Sequence, residues 1–215
     1  MKNILCYGDS NTWGFIPGTG ERLEKDRRWT GVVQNRLGSG YRIIEDGING
    51  RTSAWDHRYW GEYVNGLKGL PYALFREKPI DMAVVMLGTN DLLYTYAEGV
   101  YKGMYILVRN LVNAQSVYEG ATLGSRGIFA SSPSVLLVAP VCSAESTKDD
   151  PDGGFRYRES RKIAARLKEI ADHFSIEFLD ASEYAEASSI DGIHMDTEKH
   201  AKLGEAISDK LRRIL

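Results

Sequence analysis

Cysteine is scarce in this 215-residue chain, with Cys6 and Cys142 the only two. Each lies in or beside an apolar run, which reads as two buried free thiols rather than a disulfide framework or a thiolate metal site. Histidine is scarce as well. His57, His173, His194 and His200 form no His-Glu-x-x-His pattern and no Cys/His ligand set, so metal catalysis is not expected and no cofactor is called for. No stretch approaches the ~18 apolar residues of a membrane helix. The opening Met1-Lys2-Asn3-Ile4-Leu5-Cys6-Tyr7 turns at Gly8, a strand rather than the apolar region of a secretory signal. The expected location is therefore cytoplasmic, without a membrane partner. An excess of positive charge is also missing: Lys and Arg total 27 against 29 Asp and Glu, a net −2, which argues against general attraction to nucleic acid. With no internal repeat and no low-complexity linker, residues 1–215 read as a single domain with a substantial core.

What the chain does have is alternation. Short apolar runs at Asn3 to Tyr7, Tyr41 to Glu45, Asp81 to Leu87, Ser134 to Ala139 and Ile176 to Leu179 read as strands. Ala83 to Leu87 and Val135 to Ala139 are apolar throughout, as expected of central parallel strands covered on both faces. Between the runs, Val100, Met104, Leu107, Val108 and Leu111 share one helical face. Ile163, Leu167, Ile170, Ala171 and Phe174 share another, and Leu203, Ile207, Leu211 and Ile214 a third, with Asp196 placed to cap that last helix. Five strands separated by helices predict a doubly wound α/β sandwich, in which ligands bind beyond the carboxyl ends of the strands. The segments Gly14 to Arg28, Gly120 to Pro133 and Val141 to Phe155 read as long irregular loops, either binding loops or plain connections.

Four short blocks fall at that edge. Gly8-Asp9-Ser10-Asn11 follows the first strand, Asn49-Gly50-Arg51 the second, and Gly88-Thr89-Asn90-Asp91 the third; Asp191-Gly192-Ile193-His194 precedes the last helix. Together they supply the parts of serine-based acyl transfer. Ser10 is the candidate nucleophile at a strand-to-helix turn, although a serine there also serves as an ordinary cap. An imidazole, with a reference pKa of ~6.5, suits the task of taking and returning its proton, which assigns His194 as base. Asp191, three residues earlier, would orient the ring. The backbone N–H groups of Ser10 and Gly50 and the Asn90 side-chain amide are candidate oxyanion donors, where one donor is typically worth ~2.7–4 kcal/mol in the transition state. Asp9 and Asn11, flanking the nucleophile, and Trp13, three residues on, are candidates for substrate contact, with a core role open for Trp13. Arg51 and Asp91 read as residues that hold loops. A phosphate-binding role for the Gly8 turn lacks the Gly-Lys-Ser/Thr signature and the spaced glycines of a dinucleotide fingerprint.

These blocks, together with Gly8-Asp9-Ser10-Asn11-Thr12-Trp13-Gly14, Arg28-Trp29-Thr30-Gly31-Val32 and Met86-Leu87-Gly88-Thr89-Asn90-Asp91, resemble the SGNH (GDSL-type) hydrolases, and within them the aryl esterase/acyltransferase branch. The family takes its name from a Ser, Gly, Asn and His that match Ser10, Gly50, Asn90 and His194 in order. The resemblance implies a flavodoxin-like three-layer α/β/α sandwich with a five-stranded, mainly parallel sheet. It also implies metal-free hydrolysis of small, short-chain acyl esters through an acyl-enzyme, with acyl transfer to alcohols or peroxide in some members, and a homo-oligomer. It leaves the substrate open between a simple ester and an O-acetylated carbohydrate. A ligand-binding module without chemistry is the alternative from another class, and the complete residue set speaks against it. The aromatic cluster Trp55, His57, Arg58, Tyr59, Trp60 and Tyr63 suits either a platform for a sugar or aromatic leaving group or a subunit interface, the latter preferred.

Overall fold

The computed structural model describes residues 1–118 and 127–215. Five strands, β1 (Lys2–Gly8), β2 (Tyr41–Gly47), β3 (Met82–Met86), β4 (Val135–Ala139) and β5 (Glu177–Asp180), form one sheet. Its order is β2-β1-β3-β4-β5 and every pair is parallel. Seven α-helices occur among the described residues: α1 (Ser10–Trp13), α2 (Trp29–Leu37), α3 (Gly66–Glu77), α4 (Ala97–Val112), α5 (Ala114–Val117), α6 (Phe155–Phe174) and α7 (Thr197–Ile214).

The period-2 alternation of each strand divides the core into two layers. Leu5, Tyr7, Ala83, Val85, Val135, Leu137 and Ala139 face α3, α4 and α6, meeting Leu70, Leu74, Val100, Met104, Leu107, Ile163 and Leu167. Ile4, Cys6, Met82, Val84, Met86, Leu136 and Val138 face α2 and α7, meeting Trp29, Val33, Leu203, Ile207 and Leu211. This is the expected three-layer α/β/α sandwich, and the helical stripes read from α4, α6 and α7 point as expected. Asp196 caps α7 by accepting the Lys199 N–H at 2.9 Å.

Two features differ from the expectation. The first two strands run on to Gly8 and Gly47, which pair with each other in the ladder, so the nucleophile block starts directly at the sheet edge. Gly8 is required there, since a Cβ would collide with the Thr12 side chain as α1 folds back over the strand end. Helix α3, which is not among the helical stripes read from the sequence, carries Pro71 in its interior. Residues 120–126 of the expected 120–133 loop lie outside the described residues. Within its remainder, Ile128 and Phe129 are buried and Phe129 bridges Ile80. No helix among the described residues is long and apolar enough to cross a membrane.

Candidate active site

Sheet order decides which blocks meet. Because β1 lies between β2 and β3, the turn carrying Ser10 is flanked by the Gly50 turn on one side and the Asn90 turn on the other. Ser10 opens α1, capped by Asp9, whose Oδ1 accepts the Asn11 N–H at 2.9 Å. Ser10 Oγ lies 2.8 Å from His194 Nε2, and His194 Nδ1 lies 2.8 Å from Asp191 Oδ2. A carboxylate can only accept, so Nδ1 carries the proton and Nε2 is free to accept from the serine hydroxyl. Asp191 Oδ1 takes the backbone N–H groups of Ile193 and His194, each at 3.0 Å. Burial works to raise the Asp191 carboxyl, yet those N–H groups and the His194 ring outweigh it and hold the carboxyl below its usual range. The carboxylate is thereby held in place and charged against the ring.

Asn11 locks this loop to the nucleophile turn. Its Nδ2 donates to the Ile193 carbonyl at 3.3 Å and its Oδ1 accepts the Met195 N–H at 3.0 Å, so both faces of the amide are used across 182 and 184 residues of sequence. Asn11 is 2% exposed and Asp9 1%. The substrate contact expected for these two residues does not fit that burial: both Asn11 amide atoms and Asp9 Oδ1 are bonded to the backbone. Trp13 is partly buried, and the Arg22 guanidinium sits 4.9 Å from its ring.

On the β2 side, Gly50 holds φ +76°, and the Trp60 ring lies so close over its Cα that any Cβ would collide with it. On the β3 side, one Asn90 Nδ2 hydrogen goes to the Arg51 carbonyl at 3.0 Å. Arg51 is 3% exposed. It donates to the Gly8 carbonyl at 2.9 Å and to Asp46 Oδ1 at 2.7 Å, and it stacks on Tyr7 at 4.0 Å. Fully buried Asp91 accepts the Ser53 N–H at 2.9 Å and the Ser53 hydroxyl. Burial nonetheless pushes its carboxyl up to about 6. Arg51 and Asp91 therefore hold loops, as read from sequence.

Two aromatic contributions escaped the sequence reading. Phe15 stacks on the His194 imidazole, with ring centroids 4.2 Å apart and planes at 27°. No local pattern marks it, because the contact joins a loop residue to a ring 179 positions away. The second is the arrangement of the aromatic cluster. His57 stacks on Trp60 at 4.3 Å, and its Nδ1 accepts the Tyr59 and Trp60 N–H groups at 3.1 and 3.2 Å. Trp60 is still 52% exposed beside Gly50, while Tyr63 is 87% exposed and makes no ring contact among the described residues. No group of three or more metal-ligating side chains occurs among the described residues. A cavity of about 590 Å³ opens instead at the carboxyl ends of β4 and β5, between Cys142, Arg161, Ser182 and Lys199, and does not include Ser10.

Residues 6–202 match the model of the GDSL-like lipase/acylhydrolase family. Among solved structures, the chain is similar to a carbohydrate acetylesterase from Sinorhizobium meliloti, at 33% identity over 100% of both chains with a TM-score of 0.88. It is similar to the aryl esterase of M. smegmatis at 29% identity, again over 100% of both chains, with a TM-score of 0.86. A member of the lipolytic G-D-S-L family from Veillonella parvula shares the fold at 16% identity, covering 99% of this chain and 100% of that one, with a TM-score of 0.63. A search of curated proteins returned no match.

Proposed function

Because this chain belongs to the GDSL-like lipase/acylhydrolase family, we propose that it hydrolyses small, short-chain acyl esters through an acyl-enzyme on Ser10. The observation that carries the reading is the unbroken chain from Ser10 Oγ through His194 to Asp191, 2.8 Å at each link. In this mechanism Ser10 Oγ bonds to the ester carbonyl carbon as its proton passes to His194 Nε2. The carbonyl oxygen becomes an oxyanion, for which the Ser10 and Gly50 N–H groups and the second Asn90 amide hydrogen are the donors. Asp191 stabilises the imidazolium without taking its proton. Collapse breaks the bond to the alcohol oxygen, which leaves with the proton from His194. Water, deprotonated by His194, then attacks the acyl-serine and releases the carboxylic acid. An alcohol in place of water gives the transfer reaction.

The stack of Phe15 on His194 covers one face of the base and narrows the space beside Ser10, itself only 6% exposed. Both favour small acyl groups. Trp60, an exposed ring directly over Gly50, favours a second reading for the alcohol side, in which an O-acetylated sugar stacks on that ring. The same exposed hairpin is the surface on which we place self-association into a homo-oligomer.

Incubation with a fluorophosphonate followed by peptide mass spectrometry tests the nucleophile, and labelling is expected at Ser10. An aryl acetate to octanoate series, run beside acetylated sugars, tests the substrate, with activity falling steeply as the acyl chain lengthens. A folded, unlabelled and inactive protein would leave the ligand-binding module as the better reading.

A further inference from the structure

Asp9 immediately precedes the nucleophile, is 1% exposed, and divides its two oxygens unequally. Oδ1 accepts the Asn11 N–H, while no donor among the described residues reaches Oδ2. An ionised oxygen in that position would hold charge in a dry environment with nothing to balance it. Asp91, its acidic neighbour from the turn after β3, is differently equipped. It receives the Ser53 N–H at 2.9 Å and the Ser53 hydroxyl. The other charged group facing Asp9 is Arg51 from the turn after β2, and Arg51 is already committed to Asp46 at 2.7 Å. Two buried carboxyl groups that feel each other share their protons as a pair, and the proton settles where the anion has fewest donors.

We propose that Asp9 is a positioning residue that works as a neutral carboxylic acid beneath the nucleophile, with Asp91 carrying the negative charge of the pair. The proposal rests on the reading of Ser10 as nucleophile. Burial is the largest influence on Asp9, and with the push from Asp91 it raises the carboxyl to about 7 against the pull of the Asn11 N–H, Arg51 and its own backbone N–H. The consequence is catalytic. The Ser10 N–H is one peptide unit from Asp9 and is an intended donor to the oxyanion. A second negative charge at Asp9 would oppose the charge developing there and pull the Ser10 turn toward itself. Loss of the Asp9 proton therefore lowers kcat on the alkaline side.

The test combines kinetics with infrared spectroscopy. With p-nitrophenyl acetate at saturation, wild-type kcat is expected to fall about tenfold as Asp9 ionises above neutral pH. Asp9→Ala is expected to be slower at every pH, whereas Asp9→Asn, which keeps an uncharged group of the same shape, restores the low-pH rate to within about threefold and abolishes the alkaline fall. In wild-type protein carrying ¹³C at the aspartate carboxyl carbons, an isotope-shifted protonated-acid band is expected near pH 7, where Asp91 is mostly ionised, and lost on alkalinisation. It is expected to be absent from Asp9→Asn and retained in Asp91→Asn. A folded Asp9→Asn variant crippled at all pH values, a band that follows Asp91 instead, or no protonated band in the wild type would each overturn the proposal. The band requires no turnover, so it is read even if Ser10→Ala shows the serine to be dispensable, a result that would remove the esterase reading instead.

Discussion

Two regions lie along the same edge of this sheet. The one over β2, β1 and β3 gathers Ser10, Gly50, Asn90 and the Asp191–His194 pair, yet leaves its serine only 6% exposed. The one over β4 and β5 is a cavity of about 590 Å³ lined by serines, Arg161 and Lys199, with no histidine in its lining. The segment 188–194 separates them, tied to the first by Ser10–His194 and to the second by the Ala144 N–H on the Gly192 carbonyl at 3.0 Å. Volume and chemistry have thus parted company. The Ser10–His194–Asp191 array lies where the crossovers change sides, α2 on one face and α3 on the other, at the switch point where strand ends and their turn N–H groups stay uncovered. The β4–β5 crevice lies away from that switch point, and α6 packs on the same face as α4.

The largest effect that could break this comparison is at Ser10. Ser10→Ala is expected to reduce aryl acetate hydrolysis by about 10⁴-fold or more without lowering the melting temperature; unchanged turnover would move the chemistry elsewhere. Asn90→Ala comes next, with about 10²–10³-fold off kcat and little change in KM; a change confined to KM would remove Asn90 from the oxyanion hole. Asn11→Ala cuts the two bonds from its amide to the His194 loop, leaving the Ser10–His194 contact. We expect a loss of about tenfold in kcat together with about 1–3 kcal/mol of stability, measured by urea titration.

A smaller effect sharpens the contrast between two histidines six positions apart. His200 is fully buried on α7, its Nδ1 accepting the Trp29 N–H at 3.3 Å and its Nε2 without a hydrogen-bond partner among the described residues. Burial, with His194 and Arg28 adding to it against Asp196, lowers its pKa to about 4. Its folded value lies below the unfolded ~6.5, so the unfolded chain binds the proton first. The stability it contributes is present above about pH 6.5 and is lost as pH falls toward 4. Thermal melts of wild type against His200→Gln should converge over that window and diverge above it; a constant difference would contradict the assignment. The smallest expected effect is at the other crevice. Arg161→Ala should leave aryl acetate kcat/KM within about twofold, and a tenfold loss would show that the β4–β5 cavity takes part in turnover.

Much of the fold was legible because its signals are local. The apolar runs of β3 and β4 and the stripes on α4, α6 and α7 repeat within a few residues, and burial then follows. Helix α3 was not legible, since Pro71 and two glycines mask its period while contacts to Tyr7 and the β3 layer hold it. At the site, Ser10, Asp191 and His194 could be named from residue type and position. The burial of Asp9 and Asn11 could not, because an aspartate or asparagine beside a nucleophile looks the same whether it faces substrate or backbone. Phe15 was silent for a similar reason: an aromatic in an irregular loop has no period to reveal its partner.

The chain by itself determined the alternation of strands and helices, the blocks that end the strands, and the residue types able to form a nucleophile, a base and its orienter. These depend on composition and short-range spacing. Only the tertiary structure decided that β1 lies between β2 and β3, that Asn11 staples residues 193–195, that Phe15 faces His194, and that Trp60 covers Gly50. Most of these are contacts between segments far apart in the chain, and even the short step from Gly50 to Trp60 depends on how an irregular turn closes. Their strength comes from burial and geometry that exist only once the sheet has assembled.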